Sequence, residues 1–305
     1  MKTPQLSFPD LAKALGIQEI YLKREDQHKY GSHKGRSIPI MIKKYVKEEG
    51  VTNFVISSSG NAALAGICAV QAHNRNNPNP ISLTVFVGQN INEKKLNVLK
   101  TEIDDPRVKL EQTERPKQEA FQTEKDGTTK FLRQSTDDNA LTGYTELAQE
   151  LDKIPELQAI FIPTSSGTTA QALGEAFATL TNKPQIHIVQ TTTCHPIASV
   201  IARPSEDEAI SHQGDTITQT ESSIADAIVD NIAHRKDKVV EVIKNSHGSG
   251  WIVTDDEISS AVKLVGQTCN LAISPNSALS VAGLAKAVEN GWKWDGPVVS
   301  LITGR

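Results

Sequence analysis

Three short stretches hold residues whose types and spacing suit chemistry on a small anionic molecule. The first is GSHKGRS at 31–37, where Lys34 stands between a serine-histidine pair and Gly35-Arg36 at the expected start of a helix. A lysine amine attacks a carbonyl carbon only if it is neutral often enough, which calls for partial desolvation or neighbouring cations. Arg36, His33 and Lys23 are near enough in sequence to supply them. The second stretch, SSSGNAAL at 57–64, brings Ser58, Ser59, Gly60 and Asn61 to a strand-to-helix turn. Unpaired backbone N–H groups and the helix dipole favour an anion such as a carboxylate there. The third, PTSSGTTAQ at 163–171, repeats the layout with Ser165, Ser166, Gly167, Thr168 and Thr169, whose hydroxyls and bare amides suit a phosphate monoester. It is not a Walker loop, because the lysine that should follow the last glycine is missing.

Taken singly, each stretch has a plainer explanation. Most lysines are solvated surface residues, and serine or asparagine at a helix start is ordinarily a cap. Two anion cups at strand ends, where α/β proteins bind ligands, are harder to dismiss beside a candidate amine nucleophile. Amine, phosphate cup and carboxylate cup together make the inventory that pyridoxal 5'-phosphate chemistry needs.

The elements that must position these groups alternate along the chain. NFVISS, ISLTVFVG, AIFIPTSS, IHIVQTT and PVVSLITG read as strands, and NAALAGICAVQAH, NEKKLNVLK and TAQALGEAFATL read as the helices between them. This alternation predicts an α/β fold of mostly parallel sheets flanked by helices, and the unbroken apolar runs predict strands covered on both faces. Ala62, Ala65, Ala69 and Ala72 fall three to four apart, a small-residue face suited to close packing on a sheet. Loops are expected at 74–80 and 135–143, and a surface excursion at 203–215. A chain of 305 residues is expected to form two lobes. Its net charge of -4 gives no electrostatic footprint for nucleic acid or an anionic membrane, so a small molecule is the expected partner. Three cysteines, widely spaced, fit neither a disulfide framework nor a zinc site; no metal and a cytoplasmic setting are expected. The N-terminus lacks the apolar core of a signal peptide, and no window approaches the roughly 18 apolar residues of a membrane span.

In order, TPQLSFPDLAKALGI, YLKREDQHKYGSHKGR, SSSGNAALAG, PTSSGTTAQ, VQTTTCHPI, SIADAI, ISPNSALSVAG and VVSLITG resemble the pyridoxal-phosphate-dependent fold type II, or tryptophan synthase beta-like, family over nearly the whole chain. Within it the chain is most similar to threonine synthases, through the Arg-Glu-Asp opening, the Gly-Ser-x-Lys-x-Arg turn, VQTTTCHPI and WIVTDDEI. The resemblance implies that Lys34 forms the Schiff base and moves the substrate α-proton. It implies that Asn61 bonds the cofactor 3-hydroxyl, that Ser58, Ser59 and Gly60 receive the substrate carboxylate, and that Ser165 through Thr169 cradle the phosphate. In PNSAL, the resemblance implies that Ser277 faces the pyridine nitrogen, with Asn276 the alternative. A neutral partner there weakens the electron sink, which in this family accompanies elimination and replacement at the β or γ carbon.

The two-lobed architecture implied is a large cofactor-binding lobe from 1–44 and 142–305 and a small mobile lobe from 45–141. A homodimer and the absence of a regulatory domain are further expectations. Two departures bear on the substrate. Where threonine synthases carry an arginine that helps bind the phosphate of O-phosphohomoserine, this chain has Ala140 in QSTDDNALTGYTEL, with Asp137 and Asp138 adding negative charge. Loss of that charge-assisted contact penalises a phosphorylated substrate. The other is that His33 and Gly35 replace the usual Phe and Asp beside Lys34. The expected activity is therefore that of a threonine synthase-like lyase. The alternatives are a threonine, serine or diaminopropionate ammonia-lyase, then a cysteine synthase-like enzyme; a non-catalytic binding module is disfavoured because Lys34 and both cups are intact.

Overall fold

Runs of β-branched and aromatic residues become strands, and the computed structural model, which describes residues 2–201 and 222–304, places them in two sheets. In chain order they are β1 (Gln5–Ser7), β2 (Glu19–Arg24), β3 (Asn53–Ser57), β4 (Ser82–Gly88), β5 (Val108–Thr113), β6 (Thr129–Phe131), β7 (Ala159–Pro163), β8 (Gln185–Thr191), β9 (Gly250–Val253) and β10 (Pro297–Ile302). The chain divides into two compact units.

One unit comprises Glu25–Leu147 with Lys2 and Gly304. Its sheet, ordered β5-β4-β3-β6, is parallel throughout, with Phe54 opposite Leu83 and Ile56 opposite Val85. Helices Lys34–Glu49 and Asn61–Asn76 pack on it through Ile38, Met41, Ala63, Ile67 and Val70. Small residues permit that approach: a Cβ on Gly66 would sit 3.3 Å from the Leu83 side chain. The buried stripe is wider than the alanine spacing foretells, since Ala65 and Ala69 are buried whereas Ala62 and Ala72 are half-buried.

The other unit comprises Thr3–Arg24 and, over its described residues, Ala148–Thr303. Its sheet runs β1-β2-β10-β7-β8-β9, parallel except for β1. β10 is buried at every position and β8 at all but its first, as continuous apolar strands under helices must be. Helix Asp255–Cys269 starts on a capping box, in which the Thr254 hydroxyl accepts from Glu257 N and the Glu257 carboxylate accepts from Thr254 N.

Several elements differ from expectation. Helix Asn61–Asn76 runs into the expected loop at 74–80, and the short helix Asn139–Thr142 occupies part of 135–143. The excursion at 203–215 lies outside the described residues. The boundary expected at 44/45 falls inside helix Lys34–Glu49, whereas the units divide after Arg24 and after Leu147. Lys34 therefore belongs with the four-stranded sheet. No described helix is long and apolar enough to cross a membrane, and no cluster of metal-ligating side chains occurs among the described residues.

Candidate active site

In the four-stranded unit, the turn before Lys34 is built by backbone conformation and a buried ion pair. Gly31 adopts φ +74°, and its amide donates to His28 O at 2.6 Å, turning the chain so that Gly35 and Arg36 can open the helix. Arg36 then forks onto Glu25, with Nε and Nη2 each 2.7 Å from a carboxylate oxygen, both residues being buried. This bidentate bond ties the Arg-Glu-Asp opening to the lysine turn. Gly35 is dictated by His28: a Cβ there would lie 2.3 Å from His28 Nδ1. Burial holds the His28 pKa below its ordinary value, consistent with Nδ1 accepting from Tyr30 N at 3.2 Å. The His33 ring lies 6.1 Å from that of Tyr144.

Three residues meet at one point near Lys34. Ser32 forms a β-bridge with Gly304, and a Cβ on Gly304 would lie 2.3 Å from Asn61 Nδ2 and 3.0 Å from Ser32 Cβ. Ser32 is fully buried, yet its hydroxyl has no hydrogen-bond partner. Such an orphan beside a glycine-made cradle fits a polar group approaching from outside the chain. Next to it, helix Asn61–Asn76 opens at Gly60 without a side-chain cap, and the Ser58 hydroxyl accepts from Gly60 N at 3.3 Å. Ser58, Ser59, Gly60 and Asn61 thus stand at an open helix N-terminus, a donor set for an anion.

The six-stranded unit holds the other cup. β7 leads into Ser165-Ser166-Gly167 and the ten-residue helix Thr168–Phe177, again without a side-chain cap. Gly167 adopts φ +88°, and a Cβ there would strike Val239 at 2.6 Å, so glycine is required twice over. The Ser166 and Thr168 hydroxyls lie 3.0 Å apart, both buried. Ser165 is directed elsewhere: its Oγ accepts from Val229 N and Asp230 N at 3.2 and 3.3 Å, leaving its backbone to line the turn. Asn276 is likewise committed, accepting from Ala227 N and donating to Asp226, whereas Ser277 is fully buried with its hydroxyl accepting from Ser274 Oγ at 3.2 Å.

Two expected contributions change. Arg36 is matched by Glu25, and buried Lys23 pairs with Glu150 and donates to Thr3 O, so neither is an unmatched cation. Asp137 accepts from Tyr45 OH at 2.6 Å and from Asn139 N at 2.9 Å, and Ala140 is fully enclosed in the core. Asp137 therefore stabilises its own turn and ties it to helix Lys34–Glu49. Sequence reasoning assigned no role to Ser32, Gly304 or Glu25, although all three lie within quoted motifs, and Gly304 reaches Asn61 through tertiary contact alone.

A family model described as pyridoxal-phosphate dependent enzyme matches residues 1–304. The threonine synthase of Methanocaldococcus jannaschii is 23% identical over 320 residues, covering 99% of this chain and 74% of that protein. A catabolic L-threonine dehydratase of Staphylococcus aureus is 22% identical over 323 residues, covering 99% and 83%. Among solved structures, a pyridoxal 5'-phosphate-dependent aspartate racemase superposes with TM-score 0.80 at 20% identity, covering 100% of this chain and 90% of that one.

Proposed function

This chain belongs to the pyridoxal-phosphate-dependent enzymes, of fold type II, and from that premise we propose that it removes or replaces a β or γ substituent of a small amino acid, as threonine synthases do. The observation that carries the reading is the pair of uncapped helix starts, one beside Lys34's turn in its own unit and one rich in hydroxyls in the other. Bound pyridoxal phosphate supplies a carbonyl carbon that takes up amines and a ring that withdraws electrons from the substrate Cα.

The chain's own residues do the rest. Lys34 Nζ would hold the cofactor's carbonyl carbon and, as a free amine, would accept the substrate α-proton. Asn61 Nδ2 and the orphaned Ser32 hydroxyl would donate to the ring's oxygen substituent. Amides at Ser59, Gly60 and Asn61, with the neighbouring hydroxyls, hold and orient the substrate carboxylate. Ser166, Gly167, Thr168 and Thr169 would hold the phosphate, with Ser165 contributing its backbone. Ser277, rather than Asn276, which is engaged with Ala227 and Asp226, would serve the ring nitrogen. A neutral hydroxyl donor leaves that nitrogen unprotonated, which favours departure of a substituent over transamination.

A second reading, an amino-acid ammonia-lyase of the threonine or serine dehydratase kind, is favoured by one observation: the arginine position of threonine synthases holds the enclosed Ala140, which offers a phosphorylated substrate nothing. A cysteine synthase-like reaction ranks third. We place the enzyme in the cytoplasm as a homodimer. The deciding experiment mixes holoenzyme with O-phosphohomoserine, threonine, serine, diaminopropionate and O-acetylserine while cofactor absorbance and products are followed. Poor turnover of O-phosphohomoserine beside efficient release of ammonia from threonine or serine establishes the second reading; efficient threonine formation establishes the first. Borohydride followed by peptide mapping should fix the cofactor on Lys34, and Lys34→Ala should lower turnover by more than about 10³-fold. An unmodified Lys34 peptide from coloured protein rejects the lysine's role.

A further inference from the structure

Gln190 is fully buried near the end of β8, and its amide joins two separate pieces of backbone. On one side Nε2 donates to Thr164 O at 3.2 Å and to Ser165 O at 3.5 Å, the two carbonyls that lead into the hydroxyl-rich turn. On the other, Oε1 accepts from Ile197 N at 3.0 Å and Ala198 N at 2.8 Å. The second pair matters to the same turn, because the Ile197 side chain comes within 3.3 Å of where a Cβ on Gly167 would stand. One amide thus sets both the approach of the chain to Gly167 and the wall against which that left-handed residue is pressed. Both donor protons and the acceptor oxygen are engaged, so the side chain has one orientation.

We propose that Gln190 is the positioning residue of the phosphate turn: it holds the amides of Gly167, Thr168 and Thr169 in the geometry that receives a phosphate monoester. This rests on the reading of residues 165–169 as the cofactor's phosphate site. Gln190 touches neither cofactor nor substrate; it acts through carbonyls 164–165 and through Ile197. Glutamine alone satisfies the site. A glutamate would accept from Ile197 and Ala198 but would turn lone pairs on the Thr164 and Ser165 carbonyls, and a methionine would leave all four backbone groups unpaired.

The test compares apoprotein binding of pyridoxal 5'-phosphate with binding of pyridoxal, which carries the same aldehyde and lacks the phosphate. Wild type is expected to prefer the phosphorylated form by at least about a hundredfold, as several charge-assisted bonds require. In Gln190→Glu and Gln190→Met that ratio should fall by about tenfold or more, while affinity for pyridoxal stays within about threefold. A merely structural role would weaken both ligands alike. Retention of the wild-type ratio in the variants overturns the assignment and leaves the phosphate site standing; absence of any preference in wild type overturns the site and the assignment together. Should both variants fail to fold, amide hydrogen exchange on wild type serves. Phosphorylated cofactor, but not pyridoxal, should slow exchange at Ile197 and Ala198 together with Thr168 and Thr169, and unchanged exchange at 197–198 rejects the coupling.

Discussion

Gly304 has no recognisable role in the sequence, yet its missing side chain makes room for Asn61. The conformation there is one that any residue adopts, so the case for glycine is purely steric: Asn61 Nδ2 would lie 2.3 Å from a Cβ. Gly304→Ala should therefore turn the Asn61 carboxamide away without breaking the backbone. Loss of one hydrogen bond to the ring substituent predicts about tenfold weaker binding of pyridoxal phosphate and of pyridoxal equally, measured by titration of apoprotein, with far-ultraviolet circular dichroism unchanged. Unaltered affinity would remove Asn61 from the cofactor's contacts. Gly35 presents the contrasting case, because its Cβ would meet a buried imidazole 2.3 Å away. Gly35→Ala is expected to cost about 1–3 kcal/mol by overpacking, partly recovered when His28 is also shortened to alanine; equilibrium denaturation of the single and double variants measures the coupling.

Between elements, buried charge supplies the fastening. Lys23 on β2 is fully enclosed and joins Thr3 O, Gln5 Oε1 and the Glu150 carboxylate, so that the N-terminal segment, β2 and the segment after Leu147 share one ion pair. Removing one partner leaves the other charged and desolvated. Lys23→Met or Glu150→Gln should each destabilise the protein by about 3–5 kcal/mol, whereas Lys23→Met with Glu150→Leu should recover most of that loss; a double variant no more stable than either single one would show that the pair is not the linkage. The same elements show what pattern reading misses. β5 has one buried position among VKLEQT and β6 is three residues long. Both are strands because β3 and β4 offer a parallel partner, and no local apolar run announces them.

At the scale of the whole molecule, each unit has its own sheet and core, and the six-stranded unit carries, among its described residues, a single buried histidine that makes its stability sensitive to pH. His187 lies against Phe161 at 4.4 Å and is ringed by Trp251, Trp292 and Trp294, all three tryptophans of the chain. Trp251 Nε1 donates to its Nδ1 at 3.1 Å, which needs the neutral ring, and burial pushes its pKa down to about 3. The folded state therefore refuses a proton that the unfolded chain accepts below 6.5. Stability from this group is present above 6.5 and declines as pH falls towards 3, by up to about 1.4 kcal/mol per pH unit. Urea midpoints followed by tryptophan fluorescence should fall on acidification in wild type and less steeply in His187→Phe. Parallel curves would assign the acid sensitivity to other groups.

Composition and order along the chain were enough to determine the α/β class, the covered parallel strands, the lysine turn and the two hydroxyl-bearing helix starts, because these depend on local pattern: apolar run length, glycine where φ is positive, hydroxyls at helix starts. Collinear motifs were enough for the family. Tertiary structure alone decided which candidates are available. It directed Ser165 and Asn276 to the 226–230 segment, matched Arg36 with Glu25 and Lys23 with Glu150, enclosed Ala140, and brought Gly304 to Asn61. The physical reason is that a polar side chain's role is set by the partner it meets, and those partners lie far away in sequence, where no periodicity records them.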